Sequence, residues 1–414
     1  MRATRARFFA ISITGAVLTA SLAACSSSGS SGGSNNSKKP VLIGASLSLT
    51  GGFSADGQAF QKGYELWAKD QNAKGGLLGR KIVLKFINDA SDPTQAVTNY
   101  QTLINVDHVD FTIGPFSSLL TGPSAQVTHR FGYALIEGAG GAPSVFATKL
   151  NNVFDVSLPV AFSLAPMINW VASLPAGQRP KTAAFPTSND PFTQPQVDYA
   201  KAKLAALGVK SVYYKVFPAE PTQYKGIADQ VAASKADIVV LGSTDVPTVA
   251  AFTQAFVQQH YNPKVFISTA GPDQGAAYLN AVGKGNNDGV MVPNAWYGGS
   301  PNPQSKQMVS EYVAQYGGTP SGVNADVAEA YSVGQVLTQA VEATHGFDNA
   351  KIINYLHSGA VLQSVQGPVK FDAVGQNGQA TAFVFQWQKA NFVQVLPVGT
   401  GSVPIEFPKP AWGK

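Results

Sequence analysis

The chain has 414 residues, 44% hydrophobic and 13% charged, which suits two folded domains and excludes a disordered polymer. The formal charge of +5 equals the contribution of Arg2, Arg5, Arg7, Lys38 and Lys39, so residues 40–414 are neutral overall and offer no basic face for nucleic acid.

Three arginines precede an apolar run over residues 8–22, too short and too rich in small residues for a permanent membrane span. Leu22-Ala23-Ala24 then leads to Cys25, the single cysteine, which cannot form an internal disulfide. This is a secretory signal over 1–25, and Leu-Ala-Ala-Cys resembles the bacterial lipobox, which implies a lipid anchor on Cys25. The expected location is outside the cytoplasm, on the cell membrane. Residues 26–39, SSSGSSGGSNNSKK, form a flexible linker with a reach of roughly 20 Å.

From Val41 strands and helices alternate. VLIGASLSL is a strand. Residues 57–73 carry Phe60, Tyr64, Trp67 and Ala68 at helical spacing, and Gly75-Gly76 ends that helix. Residues 81–87 are a strand, and Asp92-Pro93 opens a helix. Further strands are predicted at 109–113, 133–137, 182–186, 211–217, 237–242 and 264–268, and a helix over 123–131. The tail breaks the rhythm: Asn377-Gly378 signals a turn, and Phe383, Phe385 and Trp387 alternate before Phe392, Val393 and Val395, which is hairpin material. Repeated βα units predict an α/β fold with doubly wound, mostly parallel sheets, and ligands bind such sheets at the carboxyl ends of the strands. Four loops stand there: GPFSSLLTG (114–122), GAGGAP (138–143), SNDPF (188–192) and TAGPDQ (269–274).

Motifs for catalysis are missing from the sequence. It has no Gly-x-Ser-x-Gly elbow, no Walker loop and no HExxH, and its five histidines are scattered. GAGGAP lacks the spacing and the following acid of a dinucleotide fingerprint. No cofactor, catalytic residue or metal site is expected, and binding is favoured over catalysis.

Residues 49–97, LTGGFSADGQAFQKGYELWAKDQNAKGGLLGRKIVLKFINDASDPTQAV, resemble the type I extracytoplasmic solute-binding proteins of ABC importers, in the branched-chain amino acid and amide branch. Leu49-Thr50-Gly51, Asn72-Ala73-Lys74-Gly75-Gly76, Gly79-Arg80-Lys81 and Asp89-Ala90-Ser91-Asp92-Pro93 carry the likeness, which extends over about 40–397. It implies two Rossmann-like lobes joined by three hinge crossings near 154–159, 288–294 and 366–372. Lobe 1 is then 40–157 plus 291–368, and lobe 2 is 158–290 plus 369–414. The resemblance also implies a monomer that closes on a small molecule and docks on ABC permease subunits.

In that family the serine turn holds a ligand carboxylate. Here Ser118 aligns with the contact serine, Ser117 lies one residue off and Phe116 precedes them. A hydroxyl expected in the next turn falls on Gly141, beside Ala139 and Gly140. An acid expected in the second lobe falls at Ala270. A tyrosine corresponds to Phe192, and an aromatic contact corresponds to Asp56, with Phe53 nearby. A buried ammonium without partners costs several kcal/mol, about a thousandfold in affinity. The expected ligand is therefore a carboxylate or amide and not an ordinary amino acid, with Phe53, Phe116, Phe192, Trp296 and Tyr297 available as an apolar wall. Glu137 and Asp273 stand close enough in sequence to restore the amino acid reading. A ligand sensor for a signalling partner is the other use of the same fold, and an enzyme on this scaffold is the third class.

Overall fold

A computed structural model describes residues 39–218, 224–399 and 401–413. The signal segment with Cys25, and all of the linker but Lys39, lie outside the described residues. The chain runs β1 (Val41–Leu47), α1 (Ser54–Ala73), β2 (Ile82–Asn88), α2 (Pro93–Asn105), β3 (Phe111–Ile113), α3 (Ser118–Arg130), β4 (Leu135–Glu137), α4 (Pro143–Phe146) and β5 (Val153–Asp155). It continues through α5 (Ala165–Ser173), β6 (Thr182–Ser188), α6 (Thr193–Ala206), β7 (Lys210–Phe217), α7 (Tyr224–Ala233), β8 (Ile238–Leu241), α8 (Val246–Gln258), β9 (Val265–Ser268), α9 (Gly275–Val282) and β10 (Val290–Asn294). Last come α10 (Pro303–Tyr316), α11 (Ala325–Thr344), α12 (Asn349–Leu356), β11 (Leu362–Ser364), β12 (Gly367–Val369), β13 (Phe383–Gln388) and β14 (Asn391–Leu396).

Among the described residues these strands form three sheets. The first has the order β2-β1-β3-β4-β5, all parallel. The second has the order β14-β13-β10-β9-β8-β6-β7, parallel except where β13 pairs with β10 and β14. A small β11–β12 ladder completes them. The all-apolar strand Ile238-Val239-Val240-Leu241 is fully buried, as a parallel strand covered on both faces must be. The tail hairpin turns at Lys389 and Ala390, whose φ values of 49° and 61° suit a two-residue turn that follows the strand twist.

Residues 288–294 and 366–372, expected as crossings, are largely strand. Val290–Asn294 pairs within the second sheet, Gly367–Val369 pairs with β11, and Phe371 bridges Asn377. The chain leaves the second sheet after Asn294 and returns to it after Asn377. The helix expected over 123–131 begins five residues earlier, at Ser118, and Pro123 lies inside it.

Two long helices, α1 and α11, pack face to face behind the first sheet. Small residues permit this approach: a Cβ on Gly63 would stand 2.4 Å from the Val327 carbonyl oxygen, and one on Gly334 would stand 2.0 Å from the Trp67 ring. Trp67 Nε1 donates to Thr338 Oγ1 at 3.1 Å, which fixes the helix register. This packing brings the N-terminal turns of both helices, with Asp56 and Asp326, to the same place.

Candidate ligand cleft

The loops that leave the carboxyl ends of both sheets meet around one cleft with about 710 Å³ of empty space. All four loops singled out in the sequence contribute to its wall: Phe116 and Ser117, Ala139 and Gly141, Phe192, and Ala270 with Asp273.

After β3 the chain turns through Gly114, where a Cβ would lie 2.1 Å from Glu137 Cβ, so only glycine fits. Ser117 is the extended N-cap of α3. Its side chain lines the cleft at 2% exposure and its Oγ has no partner. Ser118, the expected contact, faces another way. Its Oγ donates to the Ala139 carbonyl at 3.3 Å and accepts from the Ala142 N–H at 3.2 Å, tying two loops together. Glu137 also works inside this turn, accepting from the N–H groups of Ala139 and Gly140, and it does not line the cleft. Gly140 is crowded by Thr121 and Glu137 behind the wall, while Gly141 lines the wall where a Cβ would meet Asp155 Oδ2 and the Leu158 carbonyl, each at 2.7 Å.

The expected aromatic wall reduces to Phe116 and Phe192. Phe192 is placed by Asp190, whose Oδ1 accepts from its N–H at 2.7 Å. Phe53 packs edge-on behind Phe116 at 5.6 Å, beside Ala96 and Leu120. Trp296 is buried with Nε1 donating to Ser305 Oγ at 2.9 Å, and with Tyr297 it borders a neighbouring cavity that meets the cleft at Asp273 and Asn294.

The carboxylates are the main departure from the sequence reading. Asp56 and Asp273 line the cleft, and so do Asp326 and Glu329 of α11, which sequence reasoning missed. Among the described residues no Lys, Arg or His lines it. Asp273 Oδ1 accepts from the Gly271 N–H at 2.9 Å and its Oδ2 accepts from Asn294 Nδ2 at 3.1 Å. Burial, reinforced by Asp326, pushes Asp273 up to about 7. Asp56 is raised well above the carboxylate range by burial, then by Asp326 and Asp273. Glu329 is raised likewise by burial, then by Asp326 and Asp155, although part of its surface is open to the cleft. Behind the wall, Glu137 and Asp155 stand side by side across β4 and β5 and are both raised, chiefly by burial.

The side chain of Gln274, at the start of α9, crosses from the second sheet to the first. Its Nε2 donates to Asp56 Oδ1 and, at 3.2 Å, to Asp326 Oδ2, while its Oε1 accepts from Asn324 Nδ2 at 2.7 Å.

Two doubly wound sheets, crossed three times by the chain and facing one cleft, define the architecture of a type I periplasmic binding protein. The chain belongs to the periplasmic binding protein family, whose model matches residues 40–391. It is 26% identical over 359 residues to an amino acid binding protein of Pseudomonas aeruginosa, covering 86% of this chain and 92% of that one. Its structure resembles a leucine binding protein from Thermotoga maritima, with TM-score 0.75 and 18% identity over 86% of this chain and 97% of that one. It also resembles an ABC transporter solute-binding protein from R. palustris in complex with benzoate, with TM-score 0.74 and 20% identity over 90% and 98%. Among the described residues no helix is long and apolar enough to cross a membrane.

Proposed function

We propose that the chain is the lipid-anchored, extracytoplasmic binding component of an ABC importer and that it captures an amine-bearing amino acid in this cleft. One observation carries the reading: an unpartnered, buried Ser117 Oγ shares a cleft with four carboxyl side chains and, among the described residues, no basic one. The hydroxyl and the N-terminus of α3 suit a ligand carboxylate. Asp273 supplies the acid that the sequence placed at Ala270, so the geometry favours the amino acid reading over an amine-free carboxylate or amide. Closure follows if the ligand touches residues of both sheets only in the shut form.

Thermal-shift titration of the full-length chain in detergent, with amino acids against their keto acids and benzoate, tests this. Ligand at 100 times its dissociation constant adds about 2.7 kcal/mol. Stabilisation by keto acids or benzoate and by no amino acid would remove the amine from the proposal. For the anchor, Cys25→Ser should move the protein from the membrane to the soluble fraction; retention on the membrane would remove the lipid.

A further inference from the structure

We propose that the cleft selects an amino acid with a second cationic nitrogen on its side chain, and that Asp56, Asp326 and Glu329 recognise that nitrogen. The inference rests on the function proposed above and adds the charge class of the ligand.

One ammonium needs one acid, and Asp273 can serve. Three further carboxylates line the same cleft, from the first turn of α1 and from two positions one turn apart on α11. Their hydrogen-bond donors are neutral: Asp56 and Asp326 are hydrogen-bonded to each other and share the Gln274 amide, and Ser157 Oγ donates to Glu329 at 3.1 Å. None of these donors carries a positive charge, so the carboxyls have no counter-ion in the ligand-free cleft and can release their protons to water as a cationic nitrogen enters and pairs with them. An aspartate in a first helical turn is ordinarily explained by the helix dipole. That covers Asp56 and Asp326 singly, but those residues are only 3% and 7% exposed and share one donor. It does not cover Glu329, which lies beyond the first turn between buried Ala328 and Ala330. A metal ion is a poor fit, since among the described residues no three His, Cys, Asp or Glu side chains converge to hold one. The unpartnered Ser117 Oγ, 2% exposed in the same cleft, independently calls for a ligand that also carries an acceptor.

The deciding comparison is L-lysine against L-norleucine, which is lysine without the side-chain ammonium, measured by calorimetry on the full-length chain, with L-arginine and L-leucine beside them. Lysine or arginine should bind about 10- to 100-fold tighter than norleucine. Asp326→Asn and Glu329→Gln should each remove most of that ratio, by weakening lysine far more than norleucine. Equal or tighter binding of norleucine or leucine overturns this inference and leaves the proposed function standing. An undiminished ratio in both variants overturns the assignment to those residues. Absence of binding by any of the four overturns both readings. Should the variants fail to fold, the lysine-to-norleucine ratio of the unaltered chain decides alone.

Discussion

Asp273→Asn removes one ionisable group from the cleft while leaving its shape. In the folded chain Asp273 titrates at about 7 against the usual 3.8, because burial and then Asp326 disfavour its anion more than the Gly271 N–H and Asn294 amide favour it. The folded state therefore holds its proton more tightly than the unfolded state. Between those two values stability must fall as pH rises, and above about 7 it levels off. At about 1.36 kcal/mol per unit, the full shift corresponds to at most about 4 kcal/mol. Part of the side chain is open to water in the cleft, which screens it, so the measurable share is on the order of 1–2 kcal/mol. That is roughly 1–3 °C in Tm for a chain of this size. The assay is Tm against pH from 5 to 8, ligand-free, for both proteins. The unaltered chain should lose Tm over this range, and Asp273→Asn should lose less. The amide keeps one acceptor for Gly271 or Asn294, so its cost is a constant offset and not a slope. Superimposable pH profiles would refute the reasoning.

Ser117→Ala should weaken ligand binding about tenfold with Tm unchanged, since its Oγ has no partner to lose, whereas Ser118→Ala should lower Tm by freeing the Ala142 N–H, at about 1–2 kcal/mol; the reverse pattern would return the contact to Ser118. Gly334→Ala should destabilise by about 1–3 kcal/mol, because its Cβ would stand 2.0 Å from the Trp67 ring, and a neutral result in denaturant melts would contradict the α1–α11 packing. Gln274→Ala removes the side chain that links the second sheet to Asp56, Asp326 and Asn324, so the ligand-free chain should open and its radius of gyration by X-ray scattering should rise; an unchanged radius would deny it a latching role.

The alternation of strands and helices was legible, and so were the four cleft loops, because the rule linking strand ends to ligands needs only element order. The cap of α2 was legible too: Asp92 accepts from the Gln95 N–H at 2.7 Å with Pro93 behind it. Proline misled at α3. Pro123 reads as a first helical residue but lies inside a helix that starts at Ser118, and that start decides which serine faces the cleft. Short strands such as Val153–Asp155 give too little pattern to separate them from a crossing. Asp326 and Glu329 were missed because they come from α11, some fifty residues after the last loop of interest. Their signal was present but faint: Asp326 and Glu329 stand one turn apart in a helix that is mostly apolar and buried.

Those acids have an energetic consequence that separates a binding role from a structural one. Asp326 sits among Asp56, Asp273 and Glu329 and raises the pKa of each. At neutral pH it is therefore a burden on the ligand-free fold, by the same sign worked out for Asp273. A bound cation relieves that burden, so the stability lost without ligand reappears as affinity with it. Asp326→Asn should accordingly raise the ligand-free Tm at pH 7.5 while shrinking the Tm gain on adding lysine. The neutral amide still accepts from Gln274, so the link between the sheets survives the change. A purely structural aspartate, held for its place in the first turn of α11, would do the opposite: its loss would lower the ligand-free Tm and leave the gain from lysine intact.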